Sequence, residues 1–243
     1  MAGLGSRFEF THKEPKPLID VNGKPMVKAV IDCIKPKGDH RFIFMTNKEM
    51  DQEWEISRAL KAWEPTSKTI QLEHQTEGAL CTVLSAASLL NNEDELLISN
   101  CDQIIEFDIN KFYEAARKSK ADGVILTYRS KERHHSFAKV RGGYVVECAE
   151  KIVISNHATI GLYWFRHGRD FVNAAAEKVG SNDREPNGEF YNCPVYNRII
   201  KNGLKVKIHE VNKKVAYTIG TPETLREYLD HIKWLVKSSA LKY

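Results

Sequence analysis

The order of apolar segments predicts an α/β protein in which a mostly parallel central sheet is flanked by helices on both faces. Three observations carry this. Short runs rich in β-branched residues alternate with longer stretches of helical period. A length of 243 residues suits one α/β domain spanning 1–243. No repeat, low-complexity tract or linker breaks the alternation. A chain of this size, 42% hydrophobic, buries about 70% of the surface its unfolded form exposes, enough for a substantial core.

The strands read, in order, as 41–46 (RFIFMT), 69–74 (TIQLEH), 95–100 (ELLISN), 122–128 (DGVILTY), 158–165 (ATIGLYWF) and 205–211 (KVKIHEV). Ahead of the first, Met26, Val27, Val30, Ile31 and Ile34 fall on one helical stripe, with Pro25 in the first turn. Asp108 is placed to cap a helix running through Phe112 to Ala116. A last helix from about Pro222 buries Leu225, Leu229, Ile232 and Val236. The polar stretch 180–189 (GSNDREPNGE) reads as a mobile loop, and 130–136 (SKERHHS), with His134 and His135, as a solvated loop in preference to a metal site. The tryptophans 54, 63, 164 and 234 read as core or interface residues.

Charge excludes several classes. Thirty-six Lys and Arg against 32 Asp and Glu leave a net charge of +4. The basic residues are scattered, so a nucleic-acid partner is not expected, whereas a small polyanion fits. No apolar run approaches the 18 or so residues of a membrane helix, so no membrane partner is expected and the expected location is the cytoplasm. Cys33, Cys81, Cys101, Cys148 and Cys193 form no C-x-x-C pair and read as buried, reduced thiols. A homodimer is compatible with this composition.

The chemistry-bearing signal lies at the start. In MAGLGSRF (1–8), Gly3 and Gly5 permit positive φ, letting successive N–H groups from Ala2 to Ser6 approach phosphate oxygens. Arg7 can reach the same oxygens. In KEPKPLIDVNGKP (13–25), Pro15 and Pro17 stiffen the chain around Lys16, presenting its ammonium from a fixed backbone. Such a glycine loop ordinarily hangs off a strand, so a few residues are expected to be missing ahead of Met1.

Together, AGLGSRF (2–8) and EPKPLIDVNGKPMV (14–27) resemble the signature of the sugar-nucleotide pyrophosphorylase or nucleotidyltransferase family. QTEGALCTVL (75–84), LLISNCDQII (96–105), AEK (149–151) and ISNHATIGLYWF (154–165) extend the likeness. NGEFYNCPVYNRIIKNG (187–203) and IGTPETLREY (219–228) are similar to closing segments of its bacterial small-molecule cytidylyltransferase branch, including the phosphoglutamine cytidylyltransferases of capsule phosphoramidate synthesis. The resemblance implies a Rossmann-like, three-layer nucleotidyltransferase fold of the GT-A kind. It also implies transfer of a nucleoside monophosphate, CMP from CTP in that branch, to a phosphorylated small molecule, with pyrophosphate leaving.

Residue by residue, it implies Arg7 and Lys16 as catalytic cations and Asp102 as the Mg²⁺ ligand. Ala2, Gly3, Leu4, Gly5, Ser6, Gln75, Gly78, Ala79 and Cys101 would bind the nucleotide, and Glu150, Lys151, Glu189 and Tyr191 the acceptor. Two departures stand out. VAYTIGT (215–221) lacks the second metal-binding aspartate of many relatives, leaving Glu189 as the nearest alternative carboxylate; and NCDQ (100–103) lacks the D-x-D of glycosyltransferases. Uridylyl or thymidylyl transfer to a hexose 1-phosphate, cytidylyl transfer to phosphocholine, and a non-catalytic nucleotide-binding homologue all remain open.

Overall fold

A computed structural model of the chain describes residues 6–240. The chain enters through a 3-10 turn, Ser6–Phe8, and a second one, Lys16–Leu18. A short hairpin then joins β1 (Asp20–Val21) to β2 (Lys24–Pro25), its turn made by Asn22 and Gly23 at φ 54° and 83°. That is the geometry an Asn-Gly pair supplies. Helix α1 (Met26–Ile34) follows, burying the stripe read from its spacing, with Pro25 as an extended cap ahead of the first turn.

Next come β3 (Ile43–Asn47), α2 (Lys48–Trp54), α3 (Ile56–Trp63), β4 (Lys68–Leu72), α4 (Ala79–Leu84), α5 (Ala87–Leu90) and β5 (Leu96–Ser99). After β6 (Gln103–Ile105), α6 (Ile109–Lys118) starts where the Asp108 carboxylate accepts the Asn110 N–H. The second half holds β7 (Gly123–Arg129), β8 (Ser136–Arg141), β9 (Tyr144–Glu150), β10 (His157–Phe165), α7 (Gly168–Gly180), α8 (Val195–Lys201), β11 (Val206–Glu210), β12 (Ala216–Thr218) and α9 (Pro222–Ala240).

Strand β10 organises the sheet. One edge runs antiparallel to β7, which in turn pairs parallel with β11. The other edge is shared: its beginning meets β8 at Ala158, and its end meets β5 from Leu162 to Phe165. Strands β5, β7, β8 and β11 therefore point one way, with β10 reversed among them and β9 completing a hairpin with β8. The change of partner falls where the register with β7 shifts, between Thr159 and Tyr163, and Gly161 sits there at φ 82°. Among the described residues, β3 and β4 form a parallel ladder of their own, and β6 pairs with β12.

Side chains alternate across this sheet, as the period of two requires. Val124, Leu126, Tyr128, Ile160, Leu162 and Trp164 pack with α1, α6 and α9; Ile125, Tyr163 and Phe165 face α4, α7 and α8. The result is the helix–sheet–helix layering read from the sequence.

Three local readings need correction. Val236 does not join the core: Leu225 and Tyr228 are buried, Leu229 and Ile232 partly so, but Val236, a turn further on, is 64% exposed. Trp234 on the same stretch is likewise exposed. His135 is not solvated. It is buried where the loop enters β8, its Nε2 2.8 Å from the Tyr128 hydroxyl. The 180–189 segment is irregular, as read, but ion pairs from Lys178 to Glu185 and from Arg198 to Asp183, together with the Arg184–Glu77 pair, hold it down.

Candidate active site

The two stiffening prolines do what their positions suggest. Pro15 is extended, the Leu18 N–H donates to the Pro15 carbonyl at 2.8 Å, and Pro17 and Ile19 are buried. Lys16 is thereby fixed to a short, anchored turn. From 86 positions away, the turn between β5 and β6 brings Asp102, and Lys16 Nζ lies 2.5 Å from Asp102 Oδ2. Side-chain exposures of 18% and 15% make this a largely buried ion pair.

Several contacts aim Asp102. The Ile219 N–H donates to its carbonyl at 2.9 Å, and Gln103 Nε2 donates to Oδ1 at 3.1 Å. The Asn100 N–H donates to the Gly161 carbonyl at 3.3 Å, and a Cβ on Gly161 would come 2.6 Å from Asn100 Nδ2. A Cβ on Gly220 would come 2.6 Å from Asp102 Oδ2 and 3.5 Å from Lys16 Nζ. Gly220 therefore leaves room for the pair itself, and Gly161 for the Asn100 side chain two positions before Asp102. Neither stood out in the sequence, although Gly220 lies in the quoted IGT.

Burial works against the Lys16 charge, but the neighbouring Cys101 sulfur, the Asp102 carboxylate and the hydrogen bond to it outweigh that, and the ammonium titrates above its ordinary value. Arg7, exposed on the first turn, is near enough to oppose the rise. Lys16, Asp102, Cys101 and Arg7 are thus brought together. A cleft of about 290 Å³ opens beside Lys16, walled by Phe8, Glu14, Asn47, Met50 and Trp54. The expected nucleotide contacts at Ala2, Gly3, Leu4 and Gly5 lie outside the described residues, as does the Ser6 side chain.

A second group forms around β9. Glu150 ends that strand, buried, and its carboxylate accepts from Ser136 Oγ on β8. Lys151 follows at φ 57°, its N–H donating to the His135 carbonyl and its Nζ to the Tyr191 hydroxyl at 3.0 Å. The ammonium also lies 4.8 Å from the Tyr191 ring centroid. Tyr191 donates in turn to Glu189 Oε2 at 2.5 Å, and Asn187 Nδ2 donates to both. A pocket of about 150 Å³ is lined by Glu150, Lys151, Ile152, Glu185, Pro186 and Asn187. All four residues read as acceptor-binding are therefore neighbours. Ser136 and Glu185 were missed, because a serine after two histidines and a glutamate in a polar loop carry no signal of their own.

The 75–79 turn is stitched to this second group. Gly78 adopts φ 126°, and a Cβ there would lie 2.3 Å from the Phe190 carbonyl oxygen. The Leu80 N–H donates to that oxygen and the Phe190 N–H to the Glu77 carbonyl. Gln75 and Ala79 remain exposed on the turn.

Among the described residues, only Glu132, His134 and His135 bring three potential metal-ligand atoms within 4.8 Å of one another. Their donors are already engaged: Lys213 Nζ donates to Glu132 at 2.6 Å and the Tyr128 hydroxyl meets His135. No such group includes Asp102, and Glu189 belongs with Tyr191 and Asn187.

The frame is a three-layer α/β fold, and the turn between β5 and β6 carries an aspartate paired with Lys16. The MobA-like NTP transferase domain matches residues 1–158, well over half of the chain. The chain belongs to this family and is a nucleotidyltransferase. Solved structures agree in fold. A nucleoside-diphosphate-sugar pyrophosphorylase from Vibrio cholerae RC9 superposes with a TM-score of 0.79 at 24% identity, covering 95% of this chain and 98% of that one. A candidate glucose-1-phosphate thymidylyltransferase from Bacillus anthracis, in complex with a sucrose, gives 0.76 at 19% identity, over 94% and 91% of the two chains. The inositol-1-phosphate CTP transferase from T. maritima gives 0.74 at 15%, over 96% and 93%. Among the described residues, no helix is long and apolar enough to cross a membrane.

Proposed function

We propose that this protein transfers CMP from CTP to a phosphorylated small molecule and releases pyrophosphate, in the cytoplasm, to supply a precursor of capsule or surface polysaccharide. Phosphoglutamine is the favoured acceptor. The observation that carries the reading is the 2.5 Å Lys16–Asp102 pair, assembled from two motifs 86 positions apart that the family resemblance assigns to the triphosphate and its metal ion.

The chemistry asks little covalent help of the chain. A phosphomonoester has a second pKa near 6, so at pH 7 its oxygen is already ionised and attacks the α-phosphorus without a general base. Catalysis then rests on positioning and on stabilising charge. Lys16 supplies a fixed cation where charge builds between attacking and leaving oxygens, and Arg7 binds the departing phosphates. Lys151 neutralises the acceptor phosphate, and Glu150 orients the rest of the acceptor. Gly78 and Ala79, with Gln75 beside them, offer backbone and amide groups to the base.

Asp102 suits Mg²⁺, by the chemistry of its donors. A carboxylate has about four lone-pair positions; Lys16 and Gln103 take one on each oxygen, so hard-oxygen positions remain. Mg²⁺ commonly uses one or two carboxylates, with water and substrate phosphates completing its shell. When bound there, the ion would offset triphosphate charge.

A second reading, uridylyl or thymidylyl transfer to a hexose 1-phosphate, is favoured by the names of two of the similar structures. One assay separates the readings: pyrophosphate release with Mg²⁺ across four nucleotides and a panel of phosphorylated acceptors. Release with CTP supports the first reading. Release confined to UTP or dTTP with a sugar phosphate moves the assignment to the second, and no release from folded protein ends both.

A further inference from the structure

The last rung of the β6–β12 ladder sets Gln103 opposite Thr218. Gln103 is the one polar side chain of β6, buried together with Ile104 and Ile105. A buried amide is costly unless both its ends are satisfied, and here both are. Its Nε2 donates to Asp102 Oδ1 at 3.1 Å, and its Oε1 accepts from the Thr218 hydroxyl at 3.1 Å. A Cβ on Gly161 would come 3.5 Å from Gln103 Cγ, so that turn of β10 closes against the same side chain.

The amide has one favourable orientation. Turned over, its oxygen would face a carboxylate oxygen, and the Thr218 hydroxyl would have to accept instead of donate. Asp102 therefore holds two unlike donors, the Lys16 ammonium on Oδ2 at 2.5 Å and a neutral amide on Oδ1. They differ in their freedom to move. Lys16 lines the cleft on a flexible stem, whereas Gln103 is enclosed between Gly161 and Thr218.

We propose that Gln103, its amide turned by Thr218, is a positioning residue for Asp102. It holds the carboxylate in one orientation by an uncharged donor when Lys16 turns to the phosphates, so that Oδ2 meets a divalent ion with its full charge. The inference rests on the nucleotidyl-transfer reading. A cation at position 103 would offset the carboxylate and a second carboxylate would repel it; an amide does neither. Segment 215–221, which carries no aspartate, thus contributes a hydroxyl to this side of the site through Gln103.

The test reads metal binding without turnover. Mn²⁺ is titrated into the full chain with saturating α,β-methylene analogues of CTP, UTP and dTTP in turn, and free Mn²⁺ is followed by electron paramagnetic resonance. Gln103→Met keeps the length of the side chain and removes the amide; Thr218→Val removes the hydroxyl, and Thr218→Ser restores it. The proposal expects Mn²⁺ to bind about tenfold to a hundredfold more weakly in Gln103→Met. It expects about threefold to tenfold weaker binding in Thr218→Val, wild-type binding in Thr218→Ser, and unchanged analogue affinity without metal. A merely structural Gln103 would lower the denaturant midpoint and leave the Mn²⁺ affinity of the folded variant as in the wild type, which overturns the proposal. Equal Mn²⁺ affinity in Thr218→Val and Thr218→Ser overturns it too, as does a wild type that binds no Mn²⁺ with any analogue. Should Gln103→Met not fold, the Thr218 pair decides. Pyrophosphate release separates the two levels. Release by the wild type, with Mn²⁺ affinity unchanged in the variants, sinks this inference and leaves nucleotidyl transfer standing; weakened Mn²⁺ binding in the variants without release from any nucleotide does the reverse.

Discussion

The two charged centres are built on opposite plans. Lys16 and Asp102, 86 residues apart, are brought into direct contact at 2.5 Å. Glu150 and Lys151, adjacent in the chain, form no ion pair with each other: the Glu150 carboxylate accepts from Ser136 and the Lys151 ammonium donates to Tyr191. The first plan suits a site whose ligand, a polyphosphate, arrives with its own negative charge and a metal ion: in the free protein each side chain keeps the other soluble in a half-buried setting. The second leaves the two side chains with neutral partners, a serine and a tyrosine.

The contrast can be broken at either end. Lys16→Met and Asp102→Asn should each lower the rate of pyrophosphate release about a hundredfold to a thousandfold, measured at saturating CTP, and each should cost about 1–3 kcal/mol of folding stability because a charge is left without its partner. Gly78→Ala should destabilise the protein by about 1–3 kcal/mol in a denaturant titration, since φ 126° and a Cβ 2.3 Å from the Phe190 oxygen are both forbidden; an unchanged midpoint would mean that the 75–79 turn is free of the acceptor segment. Tyr191→Phe removes the hydroxyl that joins Lys151 to Glu189 and should raise the KM for acceptor about threefold to tenfold, with the KM for CTP unchanged.

The smallest effect concerns His135. Burial, helped by the His134 charge, pushes its imidazole down to about 4. The unfolded chain takes up a proton near pH 6.5 while the folded one does not, so stability is full above pH 6.5 and is lost progressively as pH falls toward 4. Between pH 6.5 and 5 the unfolding midpoint should drop in the wild type, and His135→Gln should flatten that slope.

Much of the frame was legible because its signals are local. All six strands read from the sequence overlap β3, β4, β5, β7, β10 and β11, and Asp108 caps α6 as its position suggests. The β8–β9 hairpin was not read, although the Gly-Gly of VRGGYVV, whose glycines take φ 58° and 79°, is the local signal that could have found it. Strands β6 and β12 were not: three residues each, they are defined by pairing across 111 positions, from Ala216 to Ile105, up to 115, from Thr218 to Gln103. In the site, Lys16, Asp102, Glu150 and Lys151 were found by motif, whereas Ser136, Gly161 and Gly220 matter only through what they touch. Val236 shows the same limit in reverse. Its helical period places it on the buried stripe, and only the folded chain reveals that the stripe has no core to meet there.

The central claim is that Lys16 and Asp102 act as one unit on the triphosphate. CTP labelled at its α-phosphorus, incubated with acceptor, Mg²⁺ and wild-type, single-variant or double-variant protein, reads it directly. The account predicts label in the acceptor product for the wild type, about a hundredfold or greater loss in each of Lys16→Met and Asp102→Asn, and a double variant about as impaired as the worse single one. Full label transfer by either single variant, or losses that multiply in the double, would contradict it.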